Sequence, residues 1–125
     1  NPFFDTMPDN SISLINMNSI RDFENKISKK IEYQRFRANI YISGADPWDE
    51  REWLGKNIKI NEINFLVTEE IPRCSTTNLK PGTPNSTMNL PSLLKKTYDH
   101  INMGVFLIPQ NDGNINYKDE IKIYG

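Results

Sequence analysis

The sequence predicts a single, mainly β domain, in the form of an antiparallel barrel or folded sheet that carries two or three short helices. Three observations indicate this fold class. Most apolar segments are short, and several alternate with polar residues at the period of two that is typical of half-buried strands. Clusters of Asn, Asp, Gly and Pro separate these segments, whereas helical spacing occurs in few places. The length of 125 residues fits one domain.

The first strand and the first helix are predicted near the start of the chain. Residues 12–15 form a short apolar run bounded by turn-forming residues, which predicts a strand. A helix is expected next, because Asn18 or Ser19 can cap it by accepting a backbone N–H bond. Its apolar stripe is predicted from residues at helical spacing, namely Ile20, Phe23, Ile27 and Ile31.

A second strand is predicted over residues 36–43, where Ile40 and Ile42 alternate with polar neighbours. Arg37 and Asn39 are two residues apart on this strand, so they are expected to share one face. They are either a surface arginine and a turn-side asparagine, or a pair that binds an anionic, hydrogen-bonding ligand. The residues alone leave both interpretations open.

Residues 46–50 predict a short helix, because Asp46 can cap it and Pro47 suits the first helical position. Several carboxylates surround this predicted helix. We interpret them as a solvated face rather than as an acid–base pair, which argues against glycoside hydrolysis. These residues are Asp46, Asp49, Glu50 and Glu52.

The middle of the chain predicts more β structure followed by a long loop. Residues 58–60 and 63–67 suggest two strands, or one strand broken by a bulge. Cys74 is expected on the loop that follows. Residues 76–89 are rich in Thr, Asn, Pro and Gly and predict a long surface loop, which compact domains keep mainly for functional reasons.

The C-terminal third predicts a second helix and the closing strands. The helix covers residues 91–96, with Asn89 near its cap and a proline in its first turn. Two closing strands are expected, separated by a turn and a brief further strand. The closing strands are residues 105–109 and 120–124, the turn is residues 111–113, and the brief strand lies around residue 115.

Composition excludes several classes of function. Fifteen Lys and Arg residues against 16 Asp and Glu give a net charge of −1, which favours neither nucleic acid nor an anionic membrane as a partner. No apolar run approaches the roughly 20 residues of a membrane-spanning helix. The single cysteine cannot form an internal disulfide, so a reducing, cytoplasmic location is expected. Because the first residue is Asn1, we expect the chain to be part of a longer protein.

Cys74 is the residue most suited to carry chemistry. A lone cysteine is commonly an inert buried residue, but this one lies between Arg73 and a polar Ser-Thr-Thr run, where a guanidinium can stabilise the thiolate. Thiolate is the form that binds soft metals or accepts sulfur. Asp5 is compatible with a turn or cap residue, and His100, the single histidine, is interpreted as structural.

Three motifs in register resemble the MOSC family, the molybdenum cofactor sulfurase C-terminal type of domain. They are Phe3-Phe4-Asp5-x-x-Pro8, Phe36-Arg37-Ala38-Asn39-Ile40-x-Ile42-Ser43-Gly44 and Arg73-Cys74-x-x-Thr77. Further similarity is found at Trp53 and Gly55, Asn89-Leu90-Pro91, and His100-x-x-x-Gly104-Val105-Phe106. The resemblance covers essentially the whole chain.

The resemblance implies a barrel-like fold similar to the barrel domain of pyruvate kinase and a bound molybdenum cofactor. Family members reduce N-hydroxylated compounds or deliver sulfur to the cofactor, and the family is also associated with pyridoxal phosphate. In the reductases the cysteine that matches Cys74 ligates molybdenum. The cofactor-binding residues implied for this chain are Asp5, Arg37, Asn39, Arg73 and Thr77.

Two departures from the family pattern affect which properties of the family can be assigned to this chain. Ala38 stands where the reductases usually have proline, so the local backbone is less rigid. The family's N-terminal β region, which supplies groups for the cofactor phosphate, precedes the stretch seen here. Residues 1–125 are therefore expected to be the C-terminal portion of a MOSC domain, with that β region as a partner.

Two functional hypotheses follow from the resemblance and from Cys74. In the first, the chain is part of an oxidoreductase in which Cys74 binds molybdenum and a separate flavin or iron–sulfur partner supplies electrons. In the second, it is a carrier module in which Cys74 holds persulfide sulfur, or the intact cofactor, for a molybdoenzyme acceptor. A degenerate, purely structural copy of the domain is the third possibility.

Overall fold

The computed structural model describes residues 11–60, 62–83 and 85–110, together with the backbone of residues 121–124. Six strands in this part of the chain form one sheet in the order β2-β1-β5-β4-β3-β6. All neighbouring strands pair antiparallel except β1 and β2, which pair parallel. The strands are β1 (Ile12–Asn16), β2 (Ile40–Ile42), β3 (Asn57–Ile60), β4 (Ile63–Pro72), β5 (Asn102–Pro109) and β6 (Ile121–Tyr124).

Two α-helices and three short 3₁₀ turns accompany this sheet in the described residues. The helices are α1 (Met17–Ile27) and α2 (Leu90–Tyr98), and the 3₁₀ turns are Tyr33–Phe36, Asp49–Trp53 and Ser75–Asn78. The sheet is curled into a half-barrel, which confirms the predicted mainly β, barrel-like fold with two or three short helices. The parallel β1–β2 pair is the departure from a purely antiparallel sheet. Among the described helices, none is both long and apolar enough to cross a membrane.

Helix α1 is confirmed, but its two ends differ from the prediction. Its N-cap is Asn16, whose side chain accepts a hydrogen bond from the Asn18 backbone N–H at 3.0 Å. The C-cap, Ser28, is in the left-handed conformation and ends the helix before Ile31. Ile31 is still buried, because the chain turns back and its N–H donates to the Glu24 carboxylate at 2.6 Å.

The predicted strand over residues 36–43 is wrong in its first half. Tyr33–Phe36 form a 3₁₀ turn, and the C-cap of this turn, Arg37, is in the left-handed conformation with φ of 51°. Regular pairing with β1 begins only at Ile40. Period-two alternation is lost where the backbone turns, so the expectation that Arg37 and Asn39 share a strand face is also wrong.

The carboxylate-rich segment is a 3₁₀ turn over Asp49–Trp53, and one of its acids corrects the solvated-face interpretation. Glu50 is only 1% exposed. Its carboxylate accepts hydrogen bonds from the Ser19 hydroxyl at 2.8 Å and from the Asn16 side-chain amide at 3.1 Å. These two donors satisfy a buried acid in a stretch whose other acids are exposed or half-buried.

The remaining elements follow the prediction more closely. The two-strand alternative is confirmed for β3 and β4, although β4 continues to Pro72 through two irregularities in its pairing with β5. Helix α2 is confirmed with its cap, because the Asn89 side chain accepts from the Ser92 N–H at 3.2 Å. The predicted turn at residues 111–113 and the brief strand near residue 115 lie outside the described residues.

Apolar side chains cover both faces of the sheet. Leu14 and Ile15 are adjacent on β1 and point to opposite faces, and both are fully buried. Leu14 belongs to a cluster with side chains from β2, β3, β4 and β5, whereas Ile15 packs with residues of α1 and α2. The helices therefore cover one face of the sheet and fix the position of the segments between the strands.

Candidate functional site

A cavity of about 520 Å³ opens beside the C-terminal end of β4. Its wall combines three arginines, one thiol and several hydroxyl groups with apolar side chains. The residues that line it are Ser13, Arg35, Phe36, Arg37, Ile71, Pro72, Arg73, Cys74, Thr76, Thr77 and Phe106. Four of the residues singled out from the sequence, Arg37, Arg73, Cys74 and Thr77, therefore meet at one site.

Cys74 is exposed and lies directly before the 3₁₀ turn Ser75–Asn78, as its N-cap. Its sulfur shares a hydrogen bond of 3.0 Å with the Thr76 hydroxyl. The Thr76 hydroxyl, followed by the Thr76 backbone N–H, lowers the pKa of the Cys74 thiol below its ordinary value, and the charge of Arg73 adds to this effect. These contacts thus shift the thiol of this exposed, cavity-lining residue toward its thiolate form.

Arg73 is oriented by backbone carbonyl groups from two other segments. Its Nε and Nη2 donate to the Met103 carbonyl oxygen at 3.0 and 2.8 Å, and its Nη1 donates to the Phe36 carbonyl oxygen at 2.9 Å. The guanidinium also lies 5.3 Å from the centre of the Phe36 ring. Burial lowers the Arg73 pKa to about 10, so the group stays charged at neutral pH.

Arg37 and Asn39 occupy different environments. The Arg37 side chain is exposed and lines the cavity. The Asn39 side chain is directed to β1, where its Oδ1 accepts from the Ser13 backbone N–H at 2.8 Å and from the Ser13 hydroxyl at 3.0 Å. Ser13 lines the cavity and Asn39 does not. Asn39 therefore does not pair with Arg37, and it reaches the cavity wall only through Ser13.

Thr77 supports the cysteine backbone from inside the turn. It is 2% exposed, and its hydroxyl donates to the Cys74 carbonyl oxygen at 2.7 Å. Its backbone N–H donates to the same oxygen at 3.1 Å. Both of these hydrogen bonds fix the conformation of the residue that carries the thiol.

Arg35 lines the same cavity and was not predicted from the sequence. Its side chain is 1% exposed and forms an ion pair with Glu32, with Nε to Oε1 at 2.5 Å. An arginine among charged and polar neighbours gives no local signal that it will be buried. Its burial depends on the packing of the distant residues Thr77, Asn78 and Thr87.

The two other candidates lie away from this arrangement. Asp5 falls outside the described residues. His100 packs against Trp48 and Tyr98, with ring centres 5.9 and 5.8 Å away, and its Nδ1 accepts from the Asn102 N–H at 2.9 Å. These contacts agree with the structural interpretation of the histidine.

Comparison with known proteins identifies relatives of this chain. Mitochondrial amidoxime reducing component 2 from Rattus norvegicus is 32% identical over 72 residues, covering 58% of this chain and 21% of the relative. Mitochondrial amidoxime-reducing component 1 from Homo sapiens is 24% identical over 119 residues, covering 86% of this chain and 35% of the relative. The chain thus spans between about a fifth and about a third of the length of these relatives.

A solved structure and a family model complete the comparison. The crystal structure of YiiM from Geobacillus stearothermophilus aligns with a TM-score of 0.68 at 16% identity, covering 91% of this chain and 54% of that chain. This similarity supports the fold alone. The family model described as "MOSC domain" matches residues 4–122. The chain therefore belongs to the MOSC domain family, which is associated with the molybdenum cofactor.

Proposed function

We propose that this chain is the molybdenum-cofactor-binding part of an oxidoreductase that reduces N-hydroxylated substrates, with Cys74 as the protein ligand of the metal. The observation that carries the proposal is the exposed thiol of Cys74, with its lowered pKa, in the wall of an arginine-lined cavity. The similarity to two proteins named as amidoxime reducing components supports the substrate class.

The residues of the cavity fit such a cofactor by their chemistry. A thiolate is a suitable ligand for a soft or borderline metal, and it must be deprotonated to bind. Guanidinium groups suit the anionic oxygens of a pterin phosphate and of metal–oxygen groups. Phe36, Ile71 and Phe106 add apolar wall to the cavity, and apolar wall limits the access of water to a bound group.

Each residue would have a distinct task around the bound group. The cofactor would supply the electron transfer that accompanies removal of oxygen from an N–O substrate. Cys74 would hold the metal, and Thr76 would favour the deprotonated thiol through its hydrogen bonds with the sulfur. Arg73 would present a fixed positive charge, because three hydrogen bonds hold its guanidinium. The exposed Arg37 would contact the anionic part of the ligand.

Asp5, Asn39 and Thr77 complete the proposed cofactor-binding set. Thr77 acts through the Cys74 carbonyl oxygen and Asn39 through Ser13, whereas Asp5 is assigned from the motif alone. Electrons would come from a separate flavin or iron–sulfur partner. The N-terminal β region implied by the family would supply the rest of the cofactor site. A cytoplasmic location remains a prediction from the reduced cysteine.

Molybdenum content tests the proposal directly. The protein purified from molybdenum-replete cells is expected to lose metal in Cys74→Ser, with a molybdenum-to-protein ratio lower by at least roughly tenfold, because the only thiolate is removed. Ser75→Ala is the matched control, since it changes the adjacent exposed side chain and keeps the thiol. Full molybdenum retention in Cys74→Ser would remove Cys74 as the ligand.

A sulfur carrier is the second candidate function, because an exposed thiol with a lowered pKa is also suited to accept sulfur. After incubation with a cysteine desulfurase and free cysteine, a carrier is expected to gain one sulfur atom on Cys74, as measured by mass spectrometry. Absence of this adduct counts against the carrier. Pyridoxal phosphate is not proposed, because the described residues that line the cavity include no lysine for a Schiff base.

A further inference from the structure

We propose that Arg35 is a positioning residue that holds the Cys74-bearing turn at a fixed place relative to Arg37. This inference rests on the proposed function, since it concerns how the thiol and the exposed guanidinium come to face one cavity. Arg35 belongs to none of the motifs that indicate the family. It is assigned from its burial and its contacts.

The side chain of Arg35 joins segments that are far apart in sequence. Its Nη1 donates to the Asn78 carbonyl oxygen at 2.8 Å and to the Thr77 carbonyl oxygen at 3.3 Å. Its Nη2 donates to the Thr87 hydroxyl. These contacts span 42 to 52 residues of sequence. One planar guanidinium therefore binds the end of the Ser75–Asn78 turn and the far side of the following loop.

The contacts of Arg35 lead directly to the cysteine. Thr77, whose carbonyl oxygen Arg35 binds, donates both its hydroxyl and its N–H to the Cys74 carbonyl oxygen. Asn78 connects the same turn to α2, because its Oδ1 accepts from the Leu90 N–H at 2.8 Å. The turn is thus held from the side of Arg35 and from the side of the helix.

The other end of the arginine is fixed as well. Its Nε pairs with Glu32, which directly precedes the 3₁₀ turn that contains Arg35. The hydrogen bond from Arg35 lowers the Glu32 pKa, so the Glu32 carboxylate stays ionised at neutral pH. Arg37 follows this turn as its C-cap. A single buried side chain thereby links the backbone that carries Arg37 to the backbone that carries Cys74.

Nothing in this arrangement requires Arg35 to touch a ligand. Its Nε and both terminal nitrogens donate to protein acceptors, although part of its surface lines the cavity. Its effect depends on the fork of the guanidinium, which reaches several acceptors at once. A lysine carries the same charge as a single point and cannot reproduce these contacts.

Hydrogen exchange of the turn amides, compared between Arg35→Lys and Arg35→Met, tests this inference. The N–H groups of Thr77 and Leu79, which donate within the turn, are expected to exchange about tenfold faster or more in both variants. Arg35→Lys is expected to fail as a rescue despite its charge. Leu94→Ala is the control for general destabilisation, because Leu94 is a fully buried helix residue. It should lower the free energy of global unfolding and leave the rate of exchange through local opening of the turn unchanged.

A second variant covers the case in which the Arg35 substitutions fail to fold. Thr87 is exposed, so Thr87→Ala removes one acceptor of the guanidinium with little loss of packing, and it is expected to speed exchange of the same amides by a smaller factor. Unchanged exchange of these amides in Thr87→Ala overturns the inference, and so does unchanged exchange in an Arg35 variant that folds. Full protection of the turn amides from exchange in Arg35→Lys would show that only the charge of Arg35 matters. This result would also overturn the inference.

Molybdenum content separates this inference from the proposed function. If Arg35 positions the turn, folded Arg35→Met is expected to retain several-fold less molybdenum than Leu94→Ala. The two variants are compared at the same fraction of folded protein. If exchange speeds up and Cys74→Ser keeps its molybdenum, the proposed ligand is wrong and the positioning of the turn stands. If Cys74→Ser loses molybdenum while exchange in the Arg35 variants is unchanged, the function stands and the role of Arg35 is wrong.

Discussion

Arg37 lines the cavity from a backbone conformation that is unfavourable for its residue type. Its φ of 51° and ψ of 44° lie in the left-handed region, where a side chain with a Cβ costs about 1 kcal/mol or more relative to glycine. The conformation turns the chain sharply between the 3₁₀ turn and β2. An exposed guanidinium is therefore held at the cavity at a cost in stability, as is often found at functional sites.

Substitutions of Arg37 distinguish the strain of its left-handed backbone from the function of its guanidinium. Arg37→Gly is expected to be more stable than Arg37→Ala by about 1 kcal/mol, because only glycine adopts this φ without strain. Both variants lack the guanidinium, so both are expected to retain less molybdenum than the unchanged protein. Urea unfolding measures the stability difference, and a less stable Arg37→Gly would contradict the strain argument.

Individual residues of the site differed in how far the sequence could predict their environment. The polar neighbours of Cys74 predicted a loop, and the structure places the cysteine on one, exposed. The sharing of one cavity by Arg37 and Cys74 agrees with the family motifs, but not with the predicted strand geometry. Arg35 was not predicted, because the acceptors that bury it come from residues 77–87 and local sequence carries no trace of them.

Strands β1 and β5 approach each other closely at Gly104, an element-scale feature of the site. A Cβ at Gly104 would lie 2.7 Å from the Leu14 carbonyl oxygen, 3.0 Å from Ile15 Cγ1 and 3.4 Å from Arg73 Nη2. The residue also has φ of +88°. Both the strand pair and the placement of Arg73 therefore depend on the absence of a side chain at this position.

Gly104→Ala is expected to destabilise the protein by about 2 to 4 kcal/mol, since it combines backbone strain with a clash against a strand backbone. Gly82→Ala is the matched control. Gly82 has φ of +78°, but a Cβ at this residue would meet no atom within 4 Å, so only about 1 kcal/mol of strain is expected. Denaturant unfolding compares the two, and equal losses would show that the close approach at Gly104 is unimportant.

Elements with strong local signals were predicted best. Helix α2 has Asn89 as an N-cap and Pro91 in its first turn, and both signals predicted its start correctly. Helix α1 was predicted to extend to Ile31, because the apolar spacing continues beyond the real end of the helix. The left-handed Ser28 ends it, and serine does not indicate this conformation as glycine would. Apolar spacing thus predicted burial correctly and backbone conformation wrongly.

At the scale of the whole molecule, Glu50 is a buried acid that connects separate parts of the fold. Its carboxylate binds Ser19 on α1 and Asn16 at the end of β1. The Asn16 side chain also donates to the Asp46 carbonyl oxygen at 2.7 Å. Burial raises the Glu50 pKa above its ordinary value of 4.5, against the hydrogen bonds that lower it. The sequence could not reveal the burial of Glu50, because the neighbouring acids, which are exposed or half-buried, are of the same residue types.

Global stability is expected to depend on pH through Glu50. The folded-state pKa is raised, so the stability contributed by the protonated acid is complete below pH 4.5 and is lost as the pH rises through the folded-state pKa. The unfolding free energy of the unchanged protein should therefore fall across this window relative to that of Glu50→Gln. Glu52→Gln, which removes an exposed neighbouring carboxylate, is the control and should leave the fall in place.

The order of Arg73 and Cys74 at the end of β4 has a consequence for which sequence changes the domain tolerates. The guanidinium of Arg73 is directed inward to Met103 and Phe36, while the adjacent sulfur lies outside. Deleting one residue immediately before Arg73 would exchange the two orientations, sending the sulfur inward and the cation into solvent. The register of this segment is therefore constrained together with the identity of Cys74.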